Sequence, residues 1–323
     1  MRAAFYRRQG PATQVLELGD LPDPVPGPGE VLVALATSGV NPSDVKLRAG
    51  SRPMGADLIV PHSDGAGRVL ARAPGTEGPK EGARVWIWNG QWQRPLGTAA
   101  SLIAIPAAQA VPLPDAVSDA EGACLGIPAM TAARAVFCEG PVDGCQVLVS
   151  GGAGSVARYA IQMAKARGAT VTATVSTPEK AAYALAAGAD HTVFYHSEDA
   201  AAQILDLTGG IHHAVELEFG VNAQILAQVM RINGTIAAYG SAQAPTPEMP
   251  FMAMMFKDLT LRMILVYSLA PTARAAAQSH LMELLIEGAL THAVAAEYPL
   301  KDVAKAHMKV EAADKLGTVV LTL

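Results

Sequence analysis

Residues 147–165, VLVSGGAGSVARYAIQMAK, join a short apolar run, a glycine-rich turn and a stretch with helical periodicity. A strand that leads through such a turn into a helix is the local context of the G-x-G-x-x-G motif, whose backbone approaches the pyrophosphate of a dinucleotide. Alanine is an accepted variant at the third motif position, which Ala157 occupies here. The stretch therefore predicts a dinucleotide site, with the candidate contacts Gly152, Ala153, Gly154, Ser155 and Val156.

Apolar strands and helical stretches alternate along the chain from about residue 121. Such alternation is typical of βαβ units, whose strands pair in parallel within one sheet. The expected strands are 146–150, 170–175, 191–195, 213–218 and 235–240. This part of the chain predicts an α/β fold with a Rossmann-type, doubly wound parallel sheet.

Residues 1–120 have a different sequence pattern, because short β-type runs alternate with clusters of proline and glycine. The runs are 30–37, 65–71, 83–88 and 99–106. Several short strands at this spacing indicate an irregular, mainly antiparallel β domain. A chain of 323 residues also exceeds the usual size of a single hydrophobic core. We expect two domains, with 122–266 as the nucleotide-binding domain and both chain ends, 1–121 and 267–323, as the other.

The bulk composition argues against several kinds of partner. Only 16% of the residues are charged, the net charge is −5, and the longest basic run is Arg7-Arg8, which disfavours nucleic acid. The densest apolar segment, 251–256, is far shorter than a membrane span. The first ten residues lack the apolar stretch of a signal peptide, and the three cysteines are too irregularly spaced for a disulfide framework or a structural zinc lobe. Together these features predict a cytoplasmic protein.

The end of the second expected strand indicates which dinucleotide is bound. An Asp or Glu at this point would bind the ribose 2′-hydroxyl of NAD, but the chain has Ser176 and, one helical turn further, Lys180. A hydroxyl and a cation suit a 2′-phosphate, and Glu179 is explained as a first-turn acid that follows Pro178. The alternative is that Ser176 only caps the helix and Lys180 is a solvated surface charge. We predict NADPH.

Several stretches in fixed order carry a family resemblance. They are GVNPSDVKLRAG (39–50), VPHSDGAGRV (60–69), GTAASLIAIP (97–106), CLGIPAMTAARAVF (124–137), VLVSGGAGSVARYAIQMAKARGA (147–169) and VSTPEKAAYALAAGADH (175–191). Together they closely resemble the zinc-independent quinone oxidoreductase (zeta-crystallin-like) branch of the medium-chain dehydrogenase/reductase superfamily. The resemblance implies a partly β, GroES-like catalytic domain made from both chain ends, with a Rossmann domain inserted between them.

The resemblance also implies roles for individual residues. Asn41 is expected near the nicotinamide end of the cofactor, and Thr131 at the nicotinamide ribose or carboxamide. Tyr195 is expected to join Ser176 and Lys180 around the 2′-phosphate. Gly240 and Ser241 fall where family members contact the nicotinamide half. The ordinary alternatives are that Asn41 forms a turn before a proline and that Tyr195 is a strand-end aromatic packed on the sheet.

Zinc-dependent members of the superfamily carry Cys-His where this chain has Asn41-Pro42, and Gly-His-Glu where it has His62-Ser63-Asp64. Neither Asn41 nor Ser63 is a plausible ligand of a catalytic zinc, so we expect no metal. His62 replaces a usual glycine. It is a candidate proton donor or pH-sensitive gate, although a lone histidine near a turn is more often structural.

The resemblance implies an enzyme that transfers hydride from NADPH to a quinone or similar electrophilic carbonyl. Asn41 would bind the acceptor oxygen, and solvent would supply the proton. One alternative is a reductase of the C=C bond of unsaturated ketones, aldehydes or acyl thioesters, for which His62 or Tyr267 would deliver a proton. Another is a non-catalytic NADPH-binding protein with a structural or RNA-binding role. The resemblance also implies a homodimer, for which the sheet edge near the apolar stretch 251–267 is the candidate interface. The alternative is that this stretch is a core strand crossing between domains.

Overall fold

Short strands joined by turns dominate the first part of the computed structural model, which describes residues 1–323. The elements in this part are β1 (Arg2–Phe5), α1 (Ala12–Val15), β2 (Glu17–Asp20), β3 (Glu30–Val40), α2 (Pro42–Ala49), β4 (Asp64–Arg72), β5 (Arg84–Ile87), β6 (Leu102–Pro106), β7 (Ala110–Pro112) and α3 (Asp119–Gly122). A π-helical turn, Leu125–Ala129, follows them.

Strands and helices then alternate strictly. The elements are α4 (Met130–Val136), β8 (Gln146–Val149), α5 (Ser155–Ala166), β9 (Thr170–Val175), α6 (Pro178–Ala186), β10 (His191–Phe194), α7 (Ala200–Thr208), β11 (Ile211–Glu216), α8 (Phe219–Val229), β12 (Met230–Ala238), α9 (Phe251–Met255), β13 (Thr260–Met263) and α10 (Pro271–Ile286). The chain ends with β14 (Val294–Pro299), α11 (Val303–Glu311) and β15 (Thr318–Thr322). None of these helices combines the length and the apolar composition that a membrane-spanning segment requires.

The alternating part forms a six-stranded sheet in the order β10-β9-β8-β11-β12-β13, and every pair in it is parallel. In sequence order this is 3-2-1-4-5-6, the arrangement of the doubly wound dinucleotide-binding fold. Because the strand order reverses between β8 and β11, ligands of such sheets bind at the carboxyl ends of these two strands. The predicted Rossmann-type sheet is confirmed.

Both chain ends contribute to a seven-stranded sheet, while β1 and β2 pair separately. Its order is β14-β15-β3-β4-β5-β7, and β6 pairs with β3 off this path. The pairs along it are antiparallel except β14 with β15, so the C-terminal strand β15 joins the N-terminal strand β3 edge to edge. The predicted, mainly antiparallel β architecture made from both ends is confirmed. One apolar core under it comes from β1, α2, α11 and β15.

The two units of the structure are Met1–Ile127 with His292–Leu323, and Pro128–Thr291. The sequence placed the boundaries at 121/122 and 266/267, so the second one lies 25 residues later than expected. The reason is α10, which packs against α4 of its own unit and buries four apolar side chains, Ala277, Leu281, Leu284 and Leu285. Arg167, just beyond α5, also binds Glu287 immediately after α10, at 2.8 Å.

Candidate functional site

The glycine-rich turn lies between β8 and α5, where the strand order reverses. Gly151 has a φ of 64°, and the backbone N–H of Gly152 donates to the carbonyl of Thr174 on β9 at 2.8 Å. A Cβ at Gly152 would lie 2.8 Å from the Cβ of Ala173, so the turn requires glycine for its close approach to β9. These contacts draw the turn tightly onto the sheet.

The start of α5 completes this anion-binding geometry. Gly154 caps the helix without a side chain and is exposed, while Ser155 and Val156 are half-buried. Ala157 is fully buried beneath the turn, as expected for the packing position of the motif. Uncapped backbone N–H groups and the helix dipole at such a start favour a phosphate. The turn and the start of the helix therefore fit a dinucleotide pyrophosphate.

Ser176 and Lys180 are hydrogen-bonded to each other at the carboxyl end of β9. The Lys180 ammonium donates to the Ser176 hydroxyl at 3.0 Å and forms no salt bridge. The helix α6 is capped by Thr177, whose hydroxyl accepts from the Lys180 backbone N–H at 3.3 Å. The alternative that Ser176 is the cap is therefore wrong. An uncompensated cation beside a hydroxyl fits the chemistry of a 2′-phosphate.

Tyr195 lies on the strand next to this pair. It directly follows β10, and its backbone N–H donates to the carbonyl of Val175 at 3.1 Å, which places it at the same edge of the sheet as Ser176. Its side chain is 44% exposed and its ring contacts that of His196. Tyr195 is thus not a buried aromatic packed on the sheet. Its contact with a phosphate remains a prediction.

Gly240 and Ser241 shape the loop after β12. A Cβ at Gly240 would lie 2.2 Å from the carbonyl oxygen of Leu217, so the close approach of the two loops requires glycine. The Ser241 hydroxyl accepts from the Gly220 N–H at 3.0 Å and donates to the Ala244 carbonyl at 2.5 Å. Thr131 is buried in α4. Gly240 and Ser241 thus stabilise this loop. Contacts of Gly240, Ser241 and Thr131 with the cofactor remain predictions.

Asn41 is buried at the start of α2, in the unit formed by the chain ends. Its backbone N–H donates to the Asp44 carboxyl group at 2.8 Å, and its side-chain Nδ2 donates to the Asp64 carboxyl group at 2.8 Å. Both Asp64 carboxyl oxygens also accept from the Ile127 N–H at 2.9 Å. Asn41 thus caps the start of a helix, and its amide has a fixed orientation.

Burial perturbs both aspartates that hold Asn41. It raises the pKa of Asp44 to about 7, and the positive charge of Arg52 opposes that rise. It raises the pKa of Asp64 well above its usual range, against the effect of the hydrogen bonds from Ile127 and Asn41. Both carboxyl groups therefore titrate far above ordinary aspartates.

His62 is fully buried and makes two side-chain hydrogen bonds. Nδ1 lies 2.9 Å from the Ser38 hydroxyl, and Nε2 lies 2.9 Å from Nε2 of His307 on α11. Ser38 in turn lies 2.8 Å from the Thr98 hydroxyl, which donates to the Asp64 carbonyl at 2.6 Å. The backbone of His62 has a φ of 79°, which is a conformation that glycine adopts readily.

The proton positions in this chain follow from counting donors. Thr98 donates its single hydroxyl proton to the Asp64 carbonyl. Ser38 must therefore donate to Thr98, and His62 Nδ1–H must donate to Ser38. Neutral His62 then accepts at Nε2 from the Nε2–H of His307. The remaining nitrogen, Nδ1 of His307, is buried without a partner.

Burial lowers the pKa of His62 to about 3 and that of His307 well below its usual range, so both rings are neutral near pH 7. A fully buried, neutral ring with both nitrogens engaged is a poor proton donor to a ligand. His62 is therefore best explained as structural. No group of three or more His, Cys, Asp or Glu side chains is arranged to hold a metal ion.

Comparison with known proteins matches each unit to a family. The alcohol dehydrogenase GroES-like domain matches residues 27–115, and the zinc-binding dehydrogenase domain matches residues 155–285. Human quinone oxidoreductase is 30% identical over 304 residues, covering 91% of this chain and 89% of that protein. A 2-haloacrylate reductase of Burkholderia sp. is 28% identical over 335 residues, covering 99% and 98%. A mycobacterial protein solved in complex with NADPH superposes with a TM-score of 0.87 at 29% identity over the whole of both chains.

The parallel sheet, its glycine-rich turn and these relatives define an oxidoreductase that uses a nicotinamide cofactor and a small-molecule substrate. More specifically, the chain belongs to the medium-chain dehydrogenase/reductase superfamily, in its quinone oxidoreductase branch.

Proposed function

We propose that the protein is an NADPH-dependent quinone oxidoreductase. In the proposed reaction NADPH supplies a hydride, a quinone accepts both of its electrons, and one proton from solvent completes the hydroquinone. The pairing of Lys180 with Ser176 at 3.0 Å, with no acidic residue at the end of β9, supports NADPH over NADH. The names of the relatives support the quinone.

In this proposal the residues of the alternating unit hold the cofactor. The turn at Gly152–Gly154 and the start of α5 bind the pyrophosphate through backbone N–H groups. Ser176 and Lys180, with Tyr195 on the next strand, bind the 2′-phosphate. The tight seat of Gly152 on β9 keeps the turn in place, so the site is largely formed before the cofactor binds.

Asn41 carries the chemistry at the acceptor. An amide NH₂ group has two N–H donors, and one of them is committed to Asp64 at 2.8 Å. The second N–H can donate to the acceptor oxygen as negative charge develops there. Because Asp64 fixes the amide, this donor needs no reorientation during the reaction. No further acid is required, since a hydroquinone anion takes its proton from water.

One observation favours a second candidate, reduction of an activated C=C bond. The relative named 2-haloacrylate reductase is aligned over 99% of this chain, and its name describes an unsaturated acceptor. Such a reaction needs a proton at carbon. The burial of His62 argues against His62 as the donor of this proton. The half-buried Tyr267 is then the remaining candidate donor.

Initial rates of NADPH oxidation with 1,4-benzoquinone and with a 2-alkenal distinguish the candidates. We expect quinone-dependent oxidation with little or no alkenal turnover. Turnover with the alkenal alone would replace the proposed reaction by the second candidate. Binding of NADPH without turnover of either acceptor would contradict both and support a non-catalytic role.

We further propose that the protein forms a homodimer through β13. This strand lies at the edge of the parallel sheet, and Phe251, Met252, Phe256 and Met263 around it are more than half exposed. An unpaired, apolar edge strand favours pairing with a second chain. We expect the protein to elute as a dimer in size-exclusion chromatography with light scattering and Met263→Lys to elute as a monomer. A monomeric wild type would contradict the proposal.

A further inference from the structure

A cavity of about 300 Å³ lies within the unit formed by the chain ends. Its walls come from the end of α2, the loop that follows α2, and the loop after β5. The lining includes Leu47, Arg52, Met54, Ile59, Trp92 and Arg94. The volume is at the lower end of the range for small-molecule sites, so the cavity suits a small ligand.

Arg52 supplies the uncompensated charge of this cavity. Its guanidinium lies over the Trp92 ring, 5.1 Å from the centroid, and makes neither a salt bridge nor a hydrogen bond. Stacking on an aromatic face leaves the in-plane N–H donors of an arginine available to a carboxylate. The stack on Trp92 therefore fixes the position of the Arg52 guanidinium, which can bind an anion.

Arg94, the other cation of the lining, is committed elsewhere. Its guanidinium donates to the Ala104 carbonyl and reaches the Gln109 side chain at 3.5 Å. Gln91 also donates to the Arg94 carbonyl at 2.9 Å and so fixes the loop that carries Trp92. Arg94 thus has a structural role here, and Arg52 is the group left to recognise a ligand.

The rest of the lining is largely apolar. Leu47 and Ile59 are buried, Met54 is half-buried, and Pro53 and Pro95 add rigid walls. A ligand that matches this surface has a small apolar or planar body with one anionic group directed at Arg52.

The cavity and Asn41 lie at opposite ends of α2. Leu47 lies six residues after Asn41, which is about 9 Å along a helix. The charge of Arg52 also acts on the carboxyl group of Asp44, which accepts the Asn41 N–H at 2.8 Å. For an acceptor anchored at Arg52 to reach Asn41, its reducible end must point along α2 toward the start of that helix.

We infer that this cavity is a subsite for acceptors that carry a carboxylate, and that Arg52 is the residue that selects them. The inference rests on the proposed function, because it assigns the substrate class of the same reaction. The expected substrates are small quinones or activated alkenes with a carboxylate group, and a neutral ester of the same acceptor is expected to be a poorer substrate.

The test compares 1,4-benzoquinone-2-acetate with its methyl ester, which differ in charge but not in the reducible ring. We expect kcat/KM for the acid to exceed that for the ester by about tenfold, as charged hydrogen bonds permit. Arg52→Gln should remove this preference by raising KM for the acid, with the ester changed less than about twofold. Arg52→Lys should restore part of it, and the exposed Arg72→Gln is the matched control. An unchanged acid-to-ester ratio in Arg52→Gln would overturn the inference.

Calorimetric binding of (2,5-dihydroxyphenyl)acetate, the reduced form of the same probe, separates this inference from the proposed reaction. Binding by the wild type that is lost in Arg52→Gln supports the subsite even if no quinone is reduced. Absence of binding by the wild type, or equal binding by Arg52→Gln, overturns the subsite even if quinones are reduced.

Discussion

Nε2 of His62 lies 2.9 Å from Nε2 of His307 in a fully buried pair. This pair joins the loop that precedes β4 to α11. The hydrogen bonds of Ser38 and Thr98 fix which ring donates, and burial keeps both rings neutral near pH 7. The pair joins the N-terminal part of one unit, which carries His62, to its C-terminal part, which carries His307.

This burial predicts a loss of stability as the pH falls. The His62 pKa is about 3 in the folded protein and about 6.5 in the unfolded chain, so only the unfolded chain gains this proton between these values. The stabilisation is present above pH 6.5 and decreases as the pH falls toward 3, and the lowered pKa of His307 acts in the same direction. The raised pKa values of Asp44 and Asp64 act in the opposite direction.

A comparison with His307→Gln removes the contribution of the aspartates, which both proteins share. We expect urea unfolding to show that the stability advantage of the wild type over this variant shrinks from pH 7 to pH 4. A difference that is constant across this range would contradict the neutral pair.

The pair formed by Lys180 and Ser176 predicts a change in cofactor affinity. Lys180→Ala removes the ammonium group, so KM for NADPH should rise about tenfold while KM for NADH stays within about twofold. Lys46→Ala, an exposed lysine of the other unit, is the control. Equal effects on both cofactors would exclude Lys180 from a 2′-phosphate site.

Asn41 is expected to affect turnover rather than binding. Asn41→Ala removes the donor to the acceptor oxygen, and loss of one such donor lowers kcat by about a hundredfold. Asp44→Asn, which keeps the Asn41 amide and its bond to Asp64, should lower kcat much less. Thermal unfolding of each variant checks that the fold is kept. A rise in KM with unchanged kcat would assign Asn41 to binding alone.

Two neighbouring glycines of the turn are expected to respond differently. Gly152→Ala places a methyl group 2.8 Å from Ala173 and 3.2 Å from Ala184, and such overpacking costs about 1–3 kcal/mol. Gly154→Ala meets no atom closer than 3.3 Å and should be much less destabilising. Thermal unfolding with and without NADPH measures both effects. Similar losses in the two variants would contradict the tight seat of Gly152 on β9.

The sequence predicts much of the fold because the relevant forces are local. The strand, turn and helix periodicity around the glycine-rich turn predicted the parallel sheet. The short strands between proline-rich turns predicted the antiparallel sheet. The structure divides at residues 291 and 292 rather than at 267, because α10 packs against α4, and this tertiary contact is not visible in the local sequence pattern.

The partner of His62 could not be located from local patterns alone. His307 lies 245 residues away, although one signal was present. Val303, Ala306, His307 and Val310 follow the i, i+3, i+4, i+7 pattern of a buried helix face, which places His307 among core residues. The Arg52–Trp92 stack joins two loops and likewise depends on tertiary structure.

In the proposed function the protein reduces quinones with NADPH and recognises the cofactor by its 2′-phosphate. The most direct measurement is kcat/KM for NADPH and for NADH with saturating 1,4-benzoquinone and the wild-type protein. We predict quinone-dependent oxidation with NADPH favoured by at least about tenfold, which corresponds to one charge-assisted contact. Equal rates with both cofactors, a preference for NADH, or no oxidation would contradict it.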